Sequence, residues 1–321
     1  MRRIVYCFYS GGGLVGGHKM ILRHVETLRD LGFDAVAYTG KTNTIPAWFE
    51  HRAPIVVAGP VNPARDQLVL PDDAVNTMRQ MSATGHRPVI FVQNHYAFAA
   101  GPMEMVDLYP PQRAPHFLGV SEAIGGMLRR LYPQATVEIV PAFADERVFR
   151  PAAAKGPGVA ASPRKRPLEA DVIRNLLGAL HSRHAELPWR ILKDASERET
   201  AQAFGEASLF LSLSRLEGLG MTPLEAMASG CVCAGFTGVA GRDYATADNG
   251  FWVGENDCEA ATEALAQAAD LVAAGGAPLN HHLDAGFETA RTWSYAAFRE
   301  GLEETWMRLA PDARIRNGPL D

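Results

Sequence analysis

Short apolar runs separated by polar or amphipathic stretches recur along most of the chain. Such runs predict strands that are buried on both faces, and the stretches between them predict helices that cover a parallel sheet. In the first half the predicted strands are Arg3–Tyr9, Val36–Tyr38, Pro54–Ala58, Pro88–Gln93, His116–Val120 and Val137–Val140. With helices predicted at His18–Leu31 and Glu122–Leu131, the alternation favours an α/β fold with a doubly wound parallel sheet.

Proline, alanine and glycine interrupt this pattern near Arg150–Lys155, and a second α/β unit follows. Its predicted strands are Val159–Ala161, Trp189–Leu192, Ala207–Leu213, Cys231–Phe236 and Gly250–Gly254. Its predicted helices are Leu168–Leu180, a segment ending at Phe204, Asp257–Ala273 and Thr292–Leu309. We therefore predict domains at residues 1–150 and 151–292, a last helix at about 293–310 and a tail at 311–321.

The stretch Ser214–Gly230 joins two of the predicted strands through a glycine turn and a short helix. Thr222 is expected to be the N-cap of this helix, and Pro223 suits its first position. Gly230 stands where a left-handed residue commonly ends a helix. The helix is therefore predicted to be about two turns long, with its amino terminus next to the turn.

Two carboxylates, Glu217 and Glu225, flank the turn Gly218–Gly220 with seven residues between them. Glu217 follows a nearly all-apolar strand, and ligands bind at the carboxyl ends of strands in parallel sheets. A helix amino terminus at the same place favours an anionic ligand. Glu225 has a second interpretation, because Thr222 and Glu225 also fit a capping box in which the carboxylate serves only its own helix.

A basic turn, Ser162–Pro167, contains three consecutive cations directly after a predicted strand. Charge runs are commonly solvated surface turns. At the carboxyl edge of a parallel sheet, however, Arg164, Lys165 and Arg166 would also suit a phosphate group. Another candidate is His95, which follows the strand Pro88–Gln93, as either a ligand contact or a structural histidine.

The glycine-rich loop Ser10–Gly17 formally matches the dinucleotide-binding fingerprint, so a dehydrogenase has to be considered. That fingerprint also requires a carboxylate at the end of the second strand, where this chain has Tyr38, Thr39 and Gly40. We therefore interpret the loop as a place where the backbone closely approaches a different ligand, or as a simple tight turn. The residues concerned are Gly11, Gly12 and Gly13.

Composition, apolar run length and cysteine spacing narrow the possible partners and the expected location of the protein. The chain has 321 residues, of which 47% are hydrophobic and 21% charged, and its net charge of −5 gives no reason to expect nucleic acid as a partner. Neither a signal peptide nor an apolar run of about 18 residues is present, so we expect a cytoplasmic protein, with peripheral contact at the inner face of the membrane left open. The cysteines lack metal or redox spacing and are expected to be buried thiols: Cys7, Cys231, Cys233 and Cys258.

The segment SLFLSLSRLEGLGMTPLEAMASGCVCAGFTG resembles the retaining nucleotide-sugar glycosyltransferases of the GT-B architecture, in the group often called family four. It is similar to that family in its strand, Glu-x7-Glu motif and glycine loop, most strongly over Trp189–Asp257. Weaker similarity extends to the basic turn, to Gly119–Leu131, to Ile139–Phe149 and to the first glycine loop.

The resemblance implies two Rossmann-like domains facing each other across a cleft. The N-terminal domain would bind the acceptor, the C-terminal domain would bind the donor, and the last helix would pack back on the N-terminal domain. It implies transfer of a sugar from a nucleoside-diphosphate sugar to a glycan, glycolipid or other hydroxyl acceptor, with retention of anomeric configuration. No cofactor or metal is expected, because cations can stabilise the leaving diphosphate and the chain has no Asp-x-Asp pair of the metal-binding kind.

Carried over by position, the resemblance assigns the ribose hydroxyls to Glu225 and the hydroxyls of the donor sugar to Glu217. It implies that Arg164 and Lys165 neutralise the diphosphate and that His95 approaches the donor sugar from the other domain. The contiguous cations leave open which of Arg164, Lys165 and Arg166 touch phosphate. The expected donor-binding residues are Gly218, Leu219, Gly220, Met221, Thr222 and Glu225.

Two other functions stay open at this point. A nucleotide-sugar epimerase of similar architecture would use the same diphosphate contacts but would need acid and base groups near the sugar. A non-catalytic protein that binds sugar nucleotides would need the contacts alone. Isomerised sugar in the absence of an acceptor would indicate the epimerase, whereas activity that survives loss of Glu217 or Arg164 would indicate the binding protein.

Overall fold

The computed structural model describes residues 2–9, 16–40, 45–62 and 64–315. The chain divides into two compact units. The first comprises residues up to Pro141 together with those from Phe298 onward, and the second is Ala142–Ala297. Each unit contains one sheet, and all strand pairings within the two sheets are parallel.

The first sheet has seven strands in the order β3-β2-β1-β4-β5-β6-β7. The strands are β1 (Arg3–Cys7), β2 (Ala35–Thr39), β3 (Ile55–Val57), β4 (Asp66–Pro71), β5 (Val89–Val92), β6 (His116–Gly119) and β7 (Val137–Ile139). The accompanying helices are α1 (Gly16–Asp30), α2 (Val75–Thr84), α3 (His95–Ala99), α4 (Met103–Val106) and α5 (Glu122–Leu131). This is the doubly wound order, and its direction reverses between β1 and β4.

The second sheet has five strands in the order β12-β11-β10-β8-β9. The strands are β8 (Gly156–Ala161), β9 (Trp189–Ile191), β10 (Ala207–Ser214), β11 (Val232–Thr237) and β12 (Gly250–Val253). The helices are α6 (Pro167–Leu180), α7 (Glu197–Glu206), α8 (Met221–Ala228), α9 (Cys258–Ala274) and α10 (Gly276–Thr292). Here the order reverses between β8 and β10, so the turns that follow these two strands flank the reversal.

The last helix, α11 (Tyr295–Leu309), begins in the second unit and belongs to the first from Phe298 onward. Its fully buried Trp306 donates an indole N–H hydrogen bond to the Tyr6 hydroxyl at 3.2 Å. The same hydroxyl lies 2.9 Å from Nδ1 of His24, whose ring packs against those of Phe91 and Phe298. These contacts fasten α11 to β1 and α1 within the first unit.

The structure differs from the sequence-based prediction of domains and elements in several respects. The first unit ends at Pro141 and the second begins at Ala142, so the observed boundary lies before the predicted one near Arg150. Strand β4 is absent from the prediction, although it pairs with both β1 and β5. Helix α10 was also not predicted.

None of the helices in the described part of the chain is both long and apolar enough to cross a membrane.

Candidate functional site

At the strand reversal of the second sheet, Lys165 meets Glu217. Lys165 lies in the turn after β8 and Glu217 in the turn after β10, and these strands are neighbours. The ammonium Nζ of Lys165 lies 2.7 Å from Oε1 of Glu217 and also donates to the carbonyl of Arg215 at 3.0 Å. The side chains are 27% and 26% exposed, so solvent still reaches both groups. The fold thus brings together a cation and a carboxylate that are 52 positions apart in the sequence.

Gly220 shapes the turn between Glu217 and α8. Its φ of +83° lies in the left-handed region that favours glycine. The buried Tyr244 hydroxyl donates to the Gly220 carbonyl at 2.7 Å, and a Cβ on Gly220 would lie only 3.0 Å from that hydroxyl oxygen. Burial raises the pKa of Tyr244, which keeps the hydroxyl protonated as a donor. Sequence reasoning missed this role of Tyr244, because no local motif indicates it.

The amino terminus of α8 differs from the prediction. The helix begins at Met221 with Gly220 as its N-cap, and no side chain among the described residues makes a capping hydrogen bond there, so the prediction of Thr222 as N-cap is wrong. The left-handed turn at Gly220 brings the chain into the helix before Thr222 is reached. Glu225 consequently lies beyond the third helical position, which excludes the capping box as its role. It is buried within α8, with an exposed fraction of 7%.

The carboxyl terminus of α8 agrees with the prediction. Gly230 has a φ of +72°, as expected of the left-handed residue that ends a helix. Its N–H donates to the Met227 carbonyl at 2.9 Å, and the Cys231 N–H donates to the Ala226 carbonyl at 3.0 Å. These two hydrogen bonds form a Schellman motif.

The three consecutive cations of the basic turn occupy different environments. Arg164 is exposed to solvent, Lys165 is paired with Glu217, and Arg166 is buried with its side chain only 1% exposed. The Arg166 guanidinium bonds to groups of the protein, among them the Ser214 carbonyl at 3.1 Å. Arg164 and Lys165 are therefore the two cations of this turn that solvent, or an anion, can reach.

In the first unit, His95 is the first residue of α3, which begins shortly after β5 ends at Val92. The Asn94 side chain caps this helix by accepting the N–H groups of Tyr96 and Ala97. The imidazole is half-buried, with its centroid 4.0 Å from that of the Tyr96 ring. His95 thus lies at the carboxyl edge of the first sheet.

Asp72, which was not among the predicted site residues, follows the end of β4 at the same sheet edge. Its carboxylate accepts the backbone N–H groups of Gln93 and Asn94, both at 2.8 Å. Burial raises the pKa of Asp72 to about 6. The missing prediction of β4 explains why this carboxylate was overlooked.

The predicted glycine loop residues Gly11, Gly12 and Gly13 lie outside the described residues. Within residues 2–9, 16–40, 45–62 and 64–315, no group of three or more His, Cys, Asp or Glu side chains is placed to hold a metal ion.

A cavity of about 380 Å³ opens at the opposite, amino-terminal edge of the first sheet. Its walls include Asp66, Pro88 and His116, from the starts of β4, β5 and β6. None of the described site residues lines it, so the cavity is separate from the candidate site.

Comparison with known proteins bears first on the second unit. A family model described as "Glycosyl transferases group 1" matches residues 188–272. A protein of Actinobacillus pleuropneumoniae serotype 7 (strain AP76), named "Alpha-1,6-glucosyltransferase", is 31% identical over 115 residues, which is 35% of this chain and 35% of that relative. The match therefore spans about a third of the relative's length.

Solved structures resemble the whole chain. Sucrose-phosphate synthase from Thermosynechococcus elongatus has a TM-score of 0.69 at 14% identity, covering 97% of this chain and 100% of that one. Anabaena Alr3699/HepE in complex with UDP-glucose has a TM-score of 0.69 at 11% identity, covering 96% and 100%. The chain has the GT-B fold. At these identities the structural likeness establishes the fold alone.

Within this GT-B fold, the family match contains Glu217 and Glu225 but does not reach the basic turn. Lys165 and His95 both lie outside residues 188–272. The contact between Lys165 and Glu217 therefore joins the matched segment to a residue outside it.

Proposed function

We propose that this protein is a glycosyltransferase that uses a nucleoside-diphosphate sugar as donor and a hydroxyl of a glycan or glycolipid as acceptor. The observation that carries the proposal is the 2.7 Å contact of Lys165 with Glu217 beside the amino terminus of α8. A cation, a helix amino terminus and a carboxylate at one sheet edge suit the two parts of such a donor, a diphosphate and a polyhydroxyl ring. The relative named as a glucosyltransferase and the neighbour complexed with UDP-glucose support the same choice.

In this proposal Lys165 and Arg164 neutralise the diphosphate, together with backbone N–H groups from Gly218 to Thr222. Glu217 accepts hydrogen bonds from hydroxyls of the donor sugar, and Glu225 does so from the ribose. We include His95 as a contact to the donor sugar because it lies at the carboxyl edge of its own sheet, where ligands of such sheets bind.

The proposed reaction breaks the bond between the anomeric carbon and the leaving phosphate oxygen. Negative charge develops on that oxygen and positive charge on the sugar, so fixed cations stabilise the transition state. The acceptor hydroxyl forms the new bond on the face from which the diphosphate leaves, and its proton passes to a phosphate oxygen. We propose retention of configuration for this reason, and metal independence because Lys165 and Arg164 supply the positive charge.

The proposal is tested by incubating the protein with UDP-, GDP-, dTDP- and ADP-sugars, without a divalent ion, and with and without simple glycoside acceptors. Release of nucleoside diphosphate, with a new α-linked product from an α-linked donor by proton NMR, is the expected result. An isomerised sugar nucleotide without an acceptor would replace the proposal by the epimerase alternative.

Two variants with a matched control separate catalysis from binding alone. Lys165→Ala and Glu217→Ala should each lower kcat/KM by about a hundredfold, because both remove contacts to charge or hydroxyls at the reacting centre. Arg183→Ala removes an exposed cation that is paired with Asp270, and it should leave turnover unchanged. If Lys165→Ala and Glu217→Ala both kept full biological activity, the protein would instead be a non-catalytic binding protein.

A further inference from the structure

The guanidinium of Arg166 is the buried centre of a polar network at the carboxyl edge of the second sheet. Its Nε donates to the carbonyl of Ser214, the last residue of β10, at 3.1 Å. One Nη donates to Oδ1 of Asn256 at 2.7 Å, and the other forms an ion pair with Glu255. Its Cζ lies 4.4 Å from the centroid of the Phe236 ring in β11. A single side chain thus contacts residues of β10, β11 and the segment after β12.

Glu255 extends this network to the glycine turn after β11. Its second carboxylate oxygen accepts the Gly238 N–H at 2.9 Å. Gly238 and Val239 both have positive φ angles, of +69° and +70°. A valine in that region is strained, so the turn needs support from its surroundings.

Gly238 in turn contacts the candidate site. Its carbonyl accepts the backbone N–H of Glu217 at 3.3 Å. A Cβ on Gly238 would lie only 2.6 Å from Cβ of Ser214, so this turn packs directly against the end of β10. The Gly238 turn therefore helps to fix the position of the Glu217 backbone.

We propose that Arg166 and Glu255 are positioning residues that hold the Gly238 turn and, through it, Glu217 in place for the sugar of the donor. Arg166 orients the Glu255 carboxylate, Glu255 fixes the Gly238 N–H, and the Gly238 carbonyl holds the Glu217 N–H. The inference rests on the proposed function for the role of Glu217, whereas the network itself is independent of that function. This positioning role gives Arg166, the third cation of the basic turn, a function other than phosphate binding.

The network is tested without any ligand by hydrogen exchange of backbone amides. Glu255→Met removes both the ion pair and the acceptor of the Gly238 N–H, so peptides covering 215–220 and 237–244 should exchange about tenfold faster, as expected for a lost charge-assisted hydrogen bond. Glu255→Gln retains an acceptor oxygen and should restore part of the protection. Glu169→Met is the matched control, because Glu169 also pairs with Arg166, at 3.4 Å, whereas the Gly238 N–H is bonded to Glu255. Equal exchange in Glu255→Met and Glu169→Met would overturn the proposal.

The effect on the donor is measured by calorimetric titration with UDP and with UDP-glucose as probes. Because Glu217 is assigned to the sugar, Glu255→Met should weaken UDP-glucose binding about fivefold more than UDP binding, and Glu255→Gln should recover part of the difference. A purely stabilising role would lower the melting temperature and leave the ratio of the two affinities unchanged, which would contradict the proposal. Failure of the wild-type protein to bind either probe would count against the proposed function, while the exchange experiment would still decide the positioning role.

Discussion

Lys165 and Glu217 form an ion pair at 2.7 Å, so a diphosphate bound at Lys165, as proposed above, would compete with the Glu217 carboxylate. Both side chains are about a quarter exposed. Exposed ion pairs contribute about 0.2–1 kcal/mol, which is small beside the charge-assisted bonds that a diphosphate forms. The pair therefore keeps Lys165 oriented while leaving it available to an anion.

This competition predicts opposite effects of one substitution on two ligands. Glu217→Gln removes the counter-charge of Lys165, so UDP should bind about two- to fivefold more tightly, in line with the loss of an exposed ion pair. The same change removes a charged acceptor from the proposed sugar contact, so turnover of the sugar nucleotide should fall about tenfold or more. Calorimetry and a nucleotide-release assay measure the two effects. Weaker UDP binding in Glu217→Gln would show that Glu217 does not compete for Lys165.

At the scale of single residues, the sequence identified both members of this pair but could not show that they touch. Their contact depends on β8 and β10 being neighbours, which is a property of the sheet order. For the same reason, the sequence left open which of the three cations of the basic turn touch phosphate. Burial separates them, since Arg166 is enclosed by Ser214, Glu255 and Asn256 from distant parts of the chain.

At the scale of elements, α8 depends on the left-handed turn that precedes it. Gly220 takes a backbone angle that other residues rarely adopt, and the Tyr244 hydroxyl is bonded to its carbonyl. Because no described side chain caps α8, the turn itself sets the start of the helix. This geometry places the helix amino terminus beside Glu217.

Gly220→Ala should therefore destabilise the second unit. Strain at a positive φ and the approach of the new Cβ to the Tyr244 hydroxyl should together cost about 1–3 kcal/mol in the free energy of unfolding. Gly126→Ala is the matched control, because Gly126 lies inside α5 and a methyl group there would have no described atom within 4 Å, so alanine should stabilise by about 0.5–1 kcal/mol. Urea unfolding measures both changes. Equal stability of the two variants would contradict the assigned role of the turn.

Elements with a long apolar run or clear helix signals were predictable, whereas β4 and α10 were not. Strand β10 is a nearly continuous apolar run, and Gly230 ends α8 as expected. The apolar part of β4 is only Leu68–Leu70, and the strand ends in Pro71, a residue that seldom lies inside a sheet. Helix α10 has few buried residues, so its apolar periodicity is weak. Missing β4 also concealed Asp72 at the edge of the first sheet.

At the scale of the whole molecule, buried histidines make stability depend on pH. His24 is fully buried, and burial lowers its pKa to about 3. Its neutral Nδ1 can accept a hydrogen bond from the Tyr6 hydroxyl, whose oxygen in turn accepts a hydrogen bond from the Trp306 N–H of α11. Burial also lowers the pKa of His116, to about 4, whereas the raised pKa of Asp72 acts in the opposite direction.

The sign of the His24 effect follows from its two pKa values. An unfolded chain binds the proton near pH 6.5 and the folded protein only near pH 3, so stability is complete above about pH 6.5 and declines as the pH falls from there towards 3. Between about pH 7.5 and about pH 5, His24 should account for a loss of about 2 kcal/mol. The free energy of unfolding of wild type and of His24→Leu is measured in urea at both pH values. The variant should lose less stability than the wild type when the pH is lowered. The same loss in the variant would contradict the assignment to His24.

The proposed function depends on the binding of a diphosphate by Lys165 at the strand reversal of the second sheet. This binding is tested by calorimetric titration of wild type, Lys165→Met and the control Arg183→Met with UDP, GDP, dTDP and ADP. Lys165→Met should raise the Kd of the best-bound nucleotide about tenfold or more, as for a lost charge-assisted bond, while Arg183→Met should not change it. An unchanged Kd in Lys165→Met, or no binding of any of these nucleotides by the wild-type protein, would show that Lys165 does not bind a diphosphate at this site.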